Sequence, residues 1–173
     1  IAHFRFQLGG RNVYCGIKYL EMDGVKYYFI DNLAYFDRPS LYGQWDDGER
    51  FGYFSTAIIE MLEVIDWIPD IIHCNDWHTA MVPVLLVDRY HWKDRLRHIR
   101  KVLTIHNLRF QGVYDPAILG KSLGPAIMSI PKMGLSTMTG STISRAALTS
   151  LTGLLRLVQP MPMRLLPRPL VRT

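Results

Sequence analysis

Residues Pro69 to Leu86 read PDIIHCNDWHTAMVPVLL. The apolar pair Ile71-Ile72 places a buried strand over Asp70 to His73. The apolar run from Met81 to Leu86 belongs to a helix near Trp77–Tyr90, with Asp76 at or near its N-cap and Pro83 as an irregularity. A second strand, KVLTI, follows at Lys101 to Ile105. Strand, helix and strand spaced in this way make a βαβ unit, which requires parallel strands and a right-handed crossover. The fold class read from this unit is α/β, with a Rossmann-like parallel sheet.

Upstream, Asn12 to Glu21 alternates loosely and is rich in Val, Tyr and Ile, as a strand is. Met22-Asp23-Gly24 is a turn signal, and Val25 to Ile30 (VKYYFI) is the returning strand of a hairpin. Asp31 to Gly48 is expected as a long loop, a length that often carries function. A helix is expected from Glu49, with Phe51, Phe54, Ile58, Met61, Leu62 and Ile65 on one face and Pro69 as its stop.

At 173 residues the chain is one domain or a piece of a larger one, with 49% hydrophobic residues to bury in a core. No apolar run reaches the roughly 18 residues that span a bilayer, and IAHFRFQLGG at the start has no signal-peptide pattern. Cys15 and Cys74 are too few for a disulfide framework, which points to a reducing, intracellular setting. The net charge of +5 suggests nucleic acid until its distribution is examined. Residues 1–120 hold 13 Lys and Arg against all 15 Asp and Glu, a net of −2, and residues 121–173 hold seven Lys and Arg and no acid. The tail's cations stand singly among Leu, Pro, Ser and Thr with no aromatic partners, a poor match to a nucleic-acid surface.

Ligands of open parallel sheets bind beyond the carboxyl ends of the strands. HCNDWH lies at one such end and His106-Asn107 at the next, so Asp76, His78, His106 and Asn107 become one constellation if the strands are neighbours. Zinc would require three or four ligands, and His73, Cys74 and His78 offer them on paper. His73 and Cys74 are adjacent on a strand, however, so their side chains point to opposite faces. Cys74 as a nucleophile with a His base is a second reading, against which a buried strand end makes it a small core residue. A helix start flanked by Asp76 and His78 suits recognition of hydroxyls or phosphate. The plainer alternative is that Asp76 caps the helix and His106 satisfies a buried backbone group.

Residues 8–120 resemble the N-terminal domain of bacterial glycogen synthases and plant starch synthases, enzymes of the two-domain GT-B glycosyltransferase fold. The resemblance rests on YFIDNLAYFDRPSLYG (28–43), DDGERFGYFSTA (46–57), PDIIHCNDWHTAMVPVLL (69–86) and VLTIHNLRFQGVYDPAILG (102–120), in the family's order and spacing. It departs at Leu8-Gly9-Gly10-Arg11, where the family usually has a tryptophan before the arginine, and at Arg109-Phe110, where alanine and tyrosine are common. The resemblance implies transfer of glucose from ADP-glucose or UDP-glucose to the non-reducing end of an α-1,4-glucan, with retention. It implies no cofactor, no metal, no nucleic acid and no membrane, and a location in a bacterial cytoplasm or a plastid stroma. His106 then matches the histidine beside the transferred glucose, and Asp76 an aspartate near the sugar hydroxyls. Trp77, His78 and Asn107 fall around them. The family's phosphate-contacting Lys-x-Gly-Gly loop is expected upstream of Ile1, and its nucleotide-binding second domain downstream. On this reading most of the donor site lies outside the chain, and the 173 residues alone are expected to be inactive.

From Lys121 the composition changes. Residues 121–173 contain no Asp, Glu, Phe, Tyr, Trp, His, Cys or Asn, whereas residues 1–120 hold all 20 aromatics. A membrane-surface segment is opposed by six prolines and by the lack of a helical period. A shifted reading frame explains more. Taking the third base of each codon with the first two of the next, Met161-Pro162 must give alanine, Gln159-Pro160 gives threonine or alanine, and Met163-Arg164 gives glutamate or alanine. The shifted Leu157–Arg164 thus allows Ser-Pro-Thr-Tyr-Ala-x-Glu, similar to a stretch that starch synthases carry near the end of the N-terminal domain. The shifted Gly140–Ala147, upstream of it, allows Phe/Val-Asn-Tyr-Leu-Lys-Gly-Gly, similar to the family's Asn-Phe-Leu-Lys-x-Gly helix. The division expected is a partial acceptor-side domain over 1–120 and an out-of-frame tail over 121–173, not native to the domain, with short helices within Ser144–Val158 at most. Two other classes compete with a synthase fragment. One is a non-catalytic glucan-binding module. The other is a bare Rossmann-like nucleotide binder, which lacks a G-x-G-x-x-G loop after any expected strand.

Overall fold

The structure, a computed structural model, describes residues 2–107, 109–114, 141–142 and 155–157. Three strands, β1 (Ala2–Leu8), β2 (Arg11–Met22) and β3 (Val25–Asp31), form an antiparallel sheet in the order β1-β2-β3. Both turns are two residues long with positive φ throughout, Gly9-Gly10 at 56° and 78° and Asp23-Gly24 at 54° and 75°. Such turns match the right-handed twist of the strands they join. The expected hairpin is therefore present, and β1 extends it into a meander.

The expected loop from Asp31 to Gly48 contains a helical turn, α1 (Leu33–Phe36), capped by the Asn32 side chain, which accepts from the Ala34 N–H at 3.0 Å. Helix α2 (Asp47–Val64) begins two residues earlier than its apolar period suggests. It is buried on more than the expected face. Phe51, Met61 and Leu62 are buried, and so are Tyr53, Ser55, Thr56, Ala57 and Ile59. A helix covered on two sides loses the one-sided pattern that a surface helix shows. On one side Tyr53 stacks on Tyr35 at 4.1 Å and its hydroxyl donates to the Tyr14 carbonyl at 2.8 Å, tying α2 to the meander. On the other, Tyr90 donates to Glu60 at 2.6 Å from the middle of the βαβ unit.

That unit runs through β4 (Ile71–Asn75), α3 (Asp76–Thr79), α4 (Met81–Asp88), α5 (Asp94–Arg97) and β5 (Arg100–Ile105). The strands β4 and β5 are parallel neighbours, with Asn75 opposite Thr104. The helix expected over Trp77–Tyr90 is broken at Ala80. Pro83 has no N–H for the carbonyl of Thr79 and its ring crowds that carbonyl, so the chain restarts with Pro83 in the first turn of α4. One core joins Phe6, Leu8 and Cys15 to Ala57, Ile59, Val82, Val84, Leu85, Leu103 and Ile105. Among the described residues no helix is long and apolar enough to cross a membrane.

Beyond β5, β6 (Val113–Tyr114) pairs antiparallel with β7 (Ser141–Thr142), and β8 (Leu155–Leu157) adds to β5 in parallel. The strand at 155–157 replaces the end of the helix expected within Ser144–Val158. The remaining expectations for 121–173 lie outside the described residues.

Candidate active site

The carboxyl ends of β4 and β5 meet side by side, and the two polar clusters meet with them. Directly after β4 the chain turns sharply, with Asp76 in the left-handed region at φ 56°. Asparagine and aspartate tolerate this region better than other side chains, and a residue held there signals that its surroundings fix it. Thr79 secures the turn, its hydroxyl accepting from the Asn75 N–H at 2.7 Å and donating to the Asn75 carbonyl at 2.8 Å.

The turn aims the Asp76 carboxylate across the sheet rather than along α3. One oxygen accepts the His106 backbone N–H at 2.7 Å, and the other lies 3.0 Å from His106 Nδ1. No side-chain cap bond is made at the start of α3, so Asp76 is not the cap of the plainer reading. Nor does the His106 ring serve a buried backbone group, because its side chain is 50% exposed beside an Asp76 side chain 29% exposed. A carboxylate on Nδ1 selects the tautomer and orientation of a histidine and leaves Nε2 for a ligand.

Asn107 is exposed and shapes the loop after β5. Its side-chain oxygen accepts the Arg109 N–H at 3.0 Å and its carbonyl the Phe110 N–H at 3.3 Å, which makes a local Asx-type turn. Trp77 is only 5% exposed. It lies under the site with Phe51 edge-on at 4.8 Å, His78 stacked at 4.1 Å and Tyr114 at 5.7 Å. His78 stands between Trp77, Phe51 at 4.9 Å and Tyr42 at 5.4 Å. Its buried Nε2 has no hydrogen-bond partner among the described residues. The structure therefore brings His106, Asp76 and Asn107 to one exposed rim, with Trp77 and His78 packed beneath it.

Burial lowers the His78 pKa below its ordinary 6.5, partly opposed by the charges of Asp76 and Asp47. Neutral His78 is thus favoured by the fold, while the unfolded chain takes up the proton first. This contribution to stability is complete above pH 6.5 and is lost as pH falls through the lowered folded pKa. His78→Phe keeps the stacked ring without the titration. Urea midpoints measured down a pH series are expected to fall less steeply below 6.5 in this variant than in the parent. Parallel slopes would dismiss the assignment.

The other candidate residues of the cluster lie apart. His73 is exposed and bonds Thr104 Oγ1 at 2.7 Å, whereas Cys74 is buried on the other face. Burial pushes the Cys74 thiol up to about 12, far from a nucleophile's range. Among the described residues no group of three or more His, Cys, Asp or Glu is placed to hold a metal.

Four neighbours escape a reading of the sequence. Tyr42 and Phe110, 6.1 Å apart and both exposed, wall one side of the rim. Asp47 and Arg50, both buried, pin the loop that presents Tyr42. Asp47 accepts the N–H groups of Gly43 and Gln44, and Arg50 donates to the carbonyls of Tyr35 at 2.7 Å and Leu41 at 3.4 Å. The i,i+3 spacing of this pair is visible in the sequence, but its burial is not.

A family model for the starch synthase catalytic domain matches residues 1–146. The glycogen synthase of Lactiplantibacillus plantarum is 59% identical over 119 residues, which are 69% of this chain and 25% of that protein. That of Lacticaseibacillus casei is 55% identical over 124 residues, 72% of this chain and 26% of that protein. The solved catalytic domain of starch synthase IV from Arabidopsis thaliana, bound to ADP and acarbose, superimposes with a TM-score of 0.74 at 30% identity. The match covers 85% of this chain and 31% of that one. The chain thus spans about a quarter of the length of the curated relatives it matches.

Proposed function

We propose, from the premise that this chain belongs to the starch synthase catalytic-domain family, that it forms the acceptor-side part of a glycogen synthase. By family it is a glucosyltransferase, and its α/β, Rossmann-like sheet is part of the N-terminal domain of a GT-B enzyme. The reaction we assign is transfer of glucose from ADP-glucose, or UDP-glucose, to the non-reducing end of an α-1,4-glucan with retention. The ADP in the Arabidopsis relative favours the adenine donor. The bacterial relatives favour a cytoplasmic setting.

The observation that carries this reading is the double contact of Asp76 with His106. With Nδ1–H donated to the carboxylate, the imidazole in its uncharged form offers Nε2 as an acceptor to a sugar hydroxyl. A glucosyl transition state gathers positive charge on the ring as the diphosphate departs. A fixed imidazole and a carboxylate orient the sugar hydroxyls and place negative charge near such a ring. Asn107 completes the rim, and Trp77 and His78 hold its floor. The nucleotide belongs mostly to the second GT-B domain, so the 173-residue chain by itself does not elongate glycogen on this reading. We read residues 121–173 as translated out of frame. The abrupt composition change supports this. The family-model match continues to residue 146, and sequencing the gene beyond the codon for Gly120 locates the junction.

In a chain completed to the length of its relatives, His106→Ala is expected to lower turnover by about 10²-fold or more with KM little changed. Initial-rate kinetics on glycogen separate the two constants. Wild-type turnover in the variant would remove His106 from the site.

A further inference from the structure

We propose that Gly112 is a positioning residue for His106, acting through the face of Trp77. The inference rests on the reading of His106 given above and extends it to a residue remote from the reacting sugar. Gly112 has φ 63°, and a Cβ built on it would lie 2.7 Å from Trp77 Cε3, 3.0 Å from Cδ2 and 3.1 Å from Cβ. Carbon atoms do not approach so closely, so the loop rests on the indole only because residue 112 has no side chain. Trp77 has little room to retreat, being 5% exposed and held by Phe51, His78 and Tyr114.

The same two segments meet twice. Asp76 grips His106, and Trp77, the next residue, supports Gly112 at the far end of the loop that His106 begins. Between these points the Asx-type turn at Asn107 stiffens the loop. Displacement at Gly112 is therefore transmitted to the imidazole, and the 3.0 Å contact of Nδ1 with Asp76 is the one it loosens. A misplacement of about 1 Å in a positioning group can cost about 10²-fold in rate.

Imidazole nitrogen NMR on the full 173-residue chain, assigned with His106→Gln, reads the clamp without reference to catalysis. The parent is expected to show His106 as the Nδ1–H tautomer. Gly112→Ala is expected to shift it toward the Nε2–H form that free imidazole prefers. Gly24→Ala is the control: its φ is 75°, so it carries comparable backbone strain, but no atom lies within 4 Å of the added Cβ. It should leave the His106 signal as in the parent. Should Gly112→Ala fail to fold, Trp77→Phe removes Cε3, the indole atom nearest to the Gly112 position, and is expected to produce the same tautomer shift. A parental His106 signal in folded Gly112→Ala, or in Trp77→Phe, would overturn the proposal, as would an equal shift in Gly24→Ala. In the completed enzyme Gly112→Ala should reduce turnover about 10²-fold at nearly constant KM. A tautomer shift with unchanged turnover would leave the clamp standing and refute the catalytic reading of His106.

Discussion

Arg50→Ala is expected to destabilise the domain by about 3–5 kcal/mol, the cost of leaving one member of a buried ion pair without the other. Arg50 is 2% exposed, and its removal strands the Asp47 carboxylate in the interior. The Tyr35 and Leu41 carbonyls lose a donor at the same time. Typical domains are stable by only about 5–15 kcal/mol, so the loss is a large share of the whole. Urea denaturation should show a strongly lowered midpoint. Proteolysis should reach the loop between α1 and α2 first, because Asp47 and Arg50 are what fasten it. A midpoint like that of the parent would mean that the pair contributes nothing net. The exposed pair Arg95–Asp66, by contrast, should be removable at little cost, since water screens it.

Trp77→Ala is expected to cost about 3–5 kcal/mol as well, through lost burial and the cavity left beneath the site. The indole is the floor on which Phe51, His78, Tyr114 and Gly112 converge, so its truncation removes a shared support. Near-ultraviolet circular dichroism should lose aromatic structure together with the fall in the urea midpoint. An unchanged midpoint would show that the neighbours collapse into the space without penalty.

The βαβ unit is legible in the sequence because two apolar runs flank a helical segment, and that pattern permits few topologies. The meeting of Asp76 with His106 follows from the same pattern once β4 and β5 are neighbours. What the pattern cannot supply is the direction of a side chain. An aspartate before a helix reads as a cap, yet here a backbone N–H thirty residues away takes the carboxylate. Helix α2 shows the opposite difficulty. Its burial on two sides makes a one-faced count of apolar positions too narrow, and Tyr53 falls outside it. The strand β1 carries an alternation of Phe4, Phe6 and Leu8 against Arg5 and Gln7 that a reading centred on the later hairpin passes over. Gly112 and Trp77 lie thirty-five positions apart, and only folding reveals that the first must be small for the second to be large.

The two-residue turns of the meander have a kinetic consequence. Each joins strands whose first paired residues are almost adjacent in the chain, Leu8 with Arg11 and Met22 with Val25. Hairpins of this kind close in about 1–10 μs. The parallel pair β4–β5 begins with Ile71 against Arg100, and three helices must be accommodated before it can form. Loop-closure entropy is spent there before any contact returns it, so topology makes this pairing the slow step. The crevice between Asp76 and His106 is thus assembled late, against a meander already in place, and the chain spends the interval with the edge of β5 uncovered.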